Sequence, residues 1–134
     1  MKFAMLIYEP GERFDKRRAP DESHWGPWRA YYNALVEAGV YAGGSPLERA
    51  DTTATTLRVR GGERHVQDGP FADTKEQLGG FILLELPTLD EALEWAARCP
   101  AAEYGTVEVR PVADLEHIFG RDYTAPSSGR RPAS

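Results

Sequence analysis

His24 is followed at once by Trp25 and then, at helical spacing, by Trp28 and Tyr32, in the stretch HWGPWRAYYNALVEAG. An imidazole titrates nearer neutrality than any other side chain and is the natural proton carrier. Two indoles and the Tyr31–Tyr32 pair beside it offer the kind of apolar wall that lines small-molecule pockets. The same spacing also describes a helix face packed on a core, so the aromatics have a second reading as core or dimer contacts, with His24 exposed. A second constellation is Asp68-Gly69-Pro70-Phe71, within QDGPFADTKEQLGGF. Structurally it is a turn: Asp bonds its own backbone, Gly takes positive φ, Pro fixes the exit and Phe71 plugs the core. Chemically, Asp68 is a general base or a substrate-facing carboxylate at the mouth of a cleft. Thr74, Lys75, Glu76 and Gln77 then form a loop over that cleft, or simply a solvated surface.

These residues point to general acid–base chemistry. His24 and Asp68 are the expected catalytic pair, since an Asp beside a histidine raises its pKa and fixes its tautomer. Trp25, Trp28, Tyr32, Phe71, Lys75 and Arg58 are the expected substrate contacts. Arg58 and Arg60 share a strand face and suit an anionic group, or else pair across strands with Glu85 or Glu108. His65 reads as an exposed edge-strand residue, and His117 as a local cap or packing residue. Cys99 reads as a helix-end packing residue, with only Arg98 beside it to lower its pKa. No dinucleotide fingerprint, phosphate loop or zinc-protease motif is present. Three scattered histidines and one cysteine have no metal-ligand spacing. The expectation is therefore no metal and no cofactor.

The elements that must position these groups follow from periodicity. KFAMLIYE is apolar on both alternating faces and reads as a central strand. PGERFDKRRAPDES reads as a solvated loop. The aromatic helix ends at Gly39 and starts near Asp21, with a distortion at Gly26-Pro27. GGSPLERADT reads as a loop. TATTLRVR and ERHVQD flank Gly61-Gly62 as a hairpin arm spanning Thr55–Asp68. GGFILLELP is a second doubly apolar strand. Thr88 and Glu91 form a capping box, opening a helix that turns Leu89, Ala92, Leu93 and Ala96 to the core and stops at Pro100. GTVEVRPV is a last strand, with Val107 and Val109 inward. LEHIF is a short turn packing Leu115, Ile118 and Phe119. The sum is an α+β chain with the split βαβ pattern of ferredoxin-like folds and an inserted hairpin. Both helices cover one sheet face, so the bare apolar face implies a homodimer, sheet against sheet.

The totals set bounds. The chain has 134 residues and reads as one domain over 1–123, with a polar Pro/Gly/Ser-rich tail over 124–134 expected to be disordered. A net charge of −5 argues against a general nucleic-acid binder, which needs a basic face. No apolar run approaches the ~20 residues that span a bilayer, and no signal peptide precedes Glu9 and Pro10. The expectation is a cytoplasmic protein whose partners are a small molecule and a second copy, with no nucleic acid and no membrane.

DGPFADTKEQLGGF, ILLELPTLDEALEWAARCP and GTVEVRPV together resemble the DGPF family within the YCII-related group, over about Lys2 to Val112. The resemblance implies a ferredoxin-like fold that dimerises as an α+β barrel. It does not imply one activity. Some members are lyase-like enzymes, including a dehydrochlorinase of a hydroxylated aromatic ring, and others are fused to or encoded beside sigma factors. The enzymes of the group are described with a His–Asp pair. His24 matches the histidine, but ARCP places Cys99 where they carry the aspartate. Two functions are thus expected: a small cofactor-independent lyase, isomerase or cyclase acting on an aromatic or polyketide-like compound, or a non-catalytic ligand-binding or regulatory module, associated with a sigma factor or another protein.

Overall fold

In the computed structural model, which describes residues 1–123, the doubly apolar first strand lies in the middle of a sheet. The sheet is antiparallel and four-stranded, in the order β2 (Tyr41–Pro46), β5 (Glu76–Glu85), β1 (Lys2–Pro10), β6 (Thr106–Pro111). Helix α2 (Trp25–Glu37) connects β1 to β2, and α4 (Leu89–Arg98) lies between β5 and β6. This is the ferredoxin-like split βαβ order. Between β2 and β5 stands the hairpin arm, β3 (Thr55–Arg60) and β4 (Glu63–Asp68), turned by Gly61 and Gly62 at φ of +58° and +79°. Positive φ at both turn residues matches the right-handed twist of the strands. The expected tail, 124–134, lies outside the described residues.

Register decides which face of the sheet is dry. Phe3 opposes Leu84 and Met5 opposes Ile82, and all four are buried with Ile7. Against them lie Trp28, Tyr31 and Leu35 from α2, and Ala92 and Ala96 from α4. The Tyr31 hydroxyl donates to the Trp95 carbonyl at 2.7 Å and ties the two helices together. On the other face, Ala4 opposes Leu83 and Leu6 opposes Phe81, and these remain half-exposed. The Thr88 cap is formed, its hydroxyl accepting from the Glu91 amide at 3.2 Å. Cys99 caps the end of α4 in the core, and burial pushes its thiol up to about 11.

Several sequence expectations need correction. The charged stretch after Pro10 is not all loop: it holds a helix, α1 (Gly11–Lys16), whose Phe14 is buried. A six-residue helix with one apolar anchor has too little periodicity to register in a sequence. GGSPLERADT is not all loop either. It contains most of β2 and most of a short helix, α3 (Ala50–Thr53). Here Gly-Gly-Ser-Pro mimics a turn, yet Gly44, at φ of +136°, passes so close to β5 that a Cβ would sit 2.2 Å from the Phe81 carbonyl oxygen. Only glycine fits that approach. Helix α2 starts at Trp25 rather than near Asp21, because Glu22 takes φ of +56° and breaks the run. Pro27 then sits in the first turn, where its missing N–H leaves no bond unmade. Leu89 and Leu93 are about half-exposed, since α4 turns its two alanines to the sheet and the leucines flank that narrow contact. Leu115, Ile118 and Phe119, on α6 (Leu115–Phe119), are likewise exposed in the single chain.

Candidate active site

At the end of β1 the alternation that buries Phe3, Met5 and Ile7 continues onto an acid. Glu9 is only 1% exposed. Its carboxylate accepts from Arg17 Nη2 at 3.3 Å and from the Tyr104 hydroxyl at 3.2 Å. Tyr104 closes α5 (Ala101–Tyr104), and its hydroxyl in turn accepts from Trp28 Nε1 at 3.1 Å. Burial, and then the Glu9 charge, hold the Tyr104 phenol above its usual pKa, so it remains a donor. Arg17, just past α1, also donates to the carbonyls of Leu47 and Gly79. Its own carbonyl receives Trp25 Nε1 at 2.8 Å. The segment expected as solvated loop is thus bonded to the start of α2, to the turn after β2 and to β5.

The glycine pair of the quoted motif is the floor of this site. Ile7 pairs with Gly80 and Tyr8 with Leu78, leaving Gly79 without an opposite residue, a bulge in β5. A Cβ on Gly79 would lie 3.0 Å from Glu9 Oε2 and 3.3 Å from Arg17 Nη2. The buried ion pair therefore needs a backbone with no side chain beneath it. Gln77 of the same motif holds α3, its side-chain oxygen accepting from the Ala50 amide at 2.9 Å.

His24 immediately precedes α2 and is 2% exposed, which rules out its reading as an exposed residue. Its ring meets Trp25 edge-on at 4.7 Å. Arg13 Nη2 lies 3.4 Å from His24 Nδ1, while the Arg13 guanidinium stacks 3.7 Å over the Tyr104 ring. An arginine can only donate, so Nδ1 is the acceptor and the ring proton sits on Nε2. Burial first, then the charges of Arg13, Arg17 and Lys16, lower the His24 pKa to about 4. The imidazole is therefore neutral at physiological pH. His24, Glu9, Arg17, Trp25, Trp28 and Tyr32 all line one small cavity, closed by Pro46, Gly79 and Gly80. Its open volume is about 20 Å³, room for about one water-sized group.

A depressed histidine pKa has a thermodynamic consequence. Between about 6.5 and about 4 the unfolded chain binds a proton at His24 that the folded chain refuses. The contribution is fully present above pH 6.5 and is lost as pH falls through 4. The slope is at most about 1.4 kcal/mol per pH unit. Urea titrations of wild type and His24→Asn at pH 7, 5.5 and 4.5 should therefore show wild type losing more stability on acidification. Parallel losses in the two proteins would refute the shift.

The structure brings His24, Trp25, Trp28 and Tyr32 together and leaves the other expected site residues elsewhere. Asp68 ends β4 opposite Thr55 and is exposed. Phe71 is 78% exposed rather than a core plug. Lys75 is exposed on the loop beyond it. Arg58 lies opposite His65 on the arm, its guanidinium 5.2 Å from the Phe71 ring centroid, and so pairs with neither Glu85 nor Glu108. None of these four residues lines the His24 cavity. The expected His24–Asp68 pairing is corrected accordingly: Arg13 holds Nδ1, and Glu9 is the carboxylate in the cavity. Glu9, Arg13, Arg17 and Tyr104 were missed in the sequence. The first had a signal, an acid on the buried parity of a central strand.

The family model described as the YCII-related domain matches residues 1–116. The chain belongs to this family. The YCII-related protein is 53% identical over 118 residues to an uncharacterized protein of Rhizobium meliloti, a match covering 84% of this chain and 93% of that one. Among solved structures it is similar to the 5-chloro-2-hydroxyhydroquinone dehydrochlorinase of Burkholderia phenoliruptrix, determined in complex with 2,5-dihydroxybenzoquinone. That match has 18% identity and a TM-score of 0.49, over 87% of this chain and 98% of the other. Among the described residues of the YCII-related protein, no helix is long and apolar enough to cross a membrane.

Proposed function

We propose that this YCII-related protein is a small cofactor-independent enzyme, a lyase, isomerase or cyclase, that moves a proton on an aromatic or polyketide-like compound. One observation carries the reading: a buried carboxylate and a neutral buried imidazole face one cavity. Glu9 takes a proton from a substrate carbon and returns it to another atom of the same molecule, or to water after a leaving group departs. His24, with its proton on Nε2, donates a hydrogen bond to the oxygen on which charge develops. A neutral imidazole suits that role, because it gives a hydrogen bond without first releasing a proton to solvent. Arg17 keeps the Glu9 carboxylate in place between transfers. Trp25, Trp28 and Tyr32 exclude water around the reacting atoms. The working form is a homodimer closed over the half-exposed sheet face of Leu6, Phe81 and Leu83.

The test is proton exchange. The protein, treated with a chelator and free of added cofactor, is incubated in deuterated water with a panel of hydroxylated aromatic and polyketide-like compounds, and proton NMR is recorded. Deuterium entering a carbon position, or conversion to product, is expected for at least one compound. Binding seen as a raised melting temperature with no exchange would transfer the case to a second reading, a ligand-binding regulatory module. The arm favours that reading, because Leu57, Val59 and Val66 are each more than half-exposed on one of its faces, where a protein partner would dock. Sedimentation of a clean monomer at micromolar concentration would remove the dimer.

A further inference from the structure

The cavity between His24 and Glu9 is too small for a ring. A much larger groove adjoins it. This groove runs between α1, the stretch Pro46–Arg49 and α3, has a volume of about 490 Å³, and shares Arg17, Trp25 and Pro46 with the cavity. Its size falls within the range of small-molecule sites, roughly 300–1,000 Å³. Its walls hold an indole and a phenyl ring: the Arg17 guanidinium lies 4.4 Å from the Phe14 ring centroid and 5.5 Å from that of Trp25.

Charge at the shared wall is unbalanced. Arg17 on that wall is paired with the buried Glu9 carboxylate, while Arg13, behind it against His24 and Tyr104, has no carboxylate partner among the described residues. Nε of both arginines is buried without a hydrogen-bond partner among the described residues. The cluster thus has more donors than acceptors. Further out, Arg49 is already bound by Asp15 and Asp51. Arg18 and Glu48 also line the groove, and Arg18 has no ion pair among the described residues. Of the three arginines that line the groove, Arg18 is therefore the one with no carboxylate partner among the described residues.

We infer that the groove seats an aromatic compound carrying one oxyanion, its ring against Trp25 and its oxyanion between Arg18 and Arg17, the arginine on the wall shared with the His24–Glu9 cavity. The inference rests on the proton-transfer reading, to which it adds where the body of the substrate lies and what charge it carries. An oxyanion at that wall supplies the acceptor that the cluster lacks, and it places the neighbouring ring atoms at the mouth of the cavity.

Isothermal titration with 2-naphthoate and 2-naphthamide, which match in shape and differ in charge, tests this without requiring turnover. The expected result is binding of naphthoate at least about tenfold tighter than of naphthamide. Trp25→Ala should weaken both ligands. Arg18→Glu, at an exposed position where folding is not at risk, should weaken naphthoate by about tenfold and leave naphthamide unchanged. Equal affinities, no binding of either compound at millimolar concentration, or wild-type naphthoate affinity in Arg18→Glu would each overturn the inference. Since the readout is binding alone, its failure leaves the exchange experiment to judge the cavity. A failed exchange experiment likewise leaves a positive titration standing for the groove.

Discussion

Replacing His24 with asparagine is expected to lower the rate of the exchange or conversion reaction by about 10²–10³-fold, with little change in KM. Asparagine keeps an acceptor for Arg13 near the position of Nδ1, so the local structure has reason to survive. What disappears is the Nε2–H donor. Loss of one preorganised donor to a developing oxyanion costs about that factor. The pH profile adds a second criterion. With the pKa held to about 4 by burial and by Arg13, Arg17 and Lys16, His24 contributes no inflection near 6.5 to wild-type kcat. A wild-type inflection near 6.5 that vanishes in the variant would show that His24 titrates as an ordinary base. The hydrogen-bonding role would then be wrong.

The second large effect is on stability. Arg17→Met leaves the Glu9 carboxylate buried beneath the sheet end with Tyr104 as its remaining partner. Removing one member of a buried pair costs about 3–5 kcal/mol. The midpoint of urea unfolding should fall accordingly, with the slope unchanged. The double variant Glu9→Gln/Arg17→Met should recover most of that loss, because the amide still accepts from Tyr104 and no charge is stranded. Double-mutant coupling near zero would mean that Glu9 is solvated in solution, and the cavity would lose its carboxylate as a shielded base.

How far the sequence could be read depended on what each segment uses to stay in place. The doubly apolar β1, the Gly61-Gly62 hairpin and the Thr88 cap each rest on local chemistry, and each is legible from a few neighbouring residues. The aromatic run from Trp25 was legible too, as was its role in walling His24. The carboxylate partner was not. Asp68 stood out because it lies in a turn motif, and turn motifs are conspicuous. Glu9 sits at the end of an apolar strand, and only its parity marks it as buried. Arg13 and Arg17 fall in a charged stretch of composition typical of loops, and they matter through contacts with residues up to 91 positions away, as between Arg13 and Tyr104. Strand β2 was hidden because its glycines are there for a close backbone approach, which in sequence looks like a turn.

That same strand has a consequence for how copies of this chain can meet. β2 and β6 are the two outer strands of the sheet, where unpaired amides and carbonyls would accept a foreign strand. On β2 the ladder is interrupted between Tyr41 and Gly43, successive glycines take φ of +131° and +136°, and Pro46 offers no donor. On β6 the outer edge carries Glu108 and Arg110 and ends at Pro111. Both borders are thereby irregular or charged, so ribbon growth by strand addition, the first step toward fibrils, finds no template at either margin of the sheet.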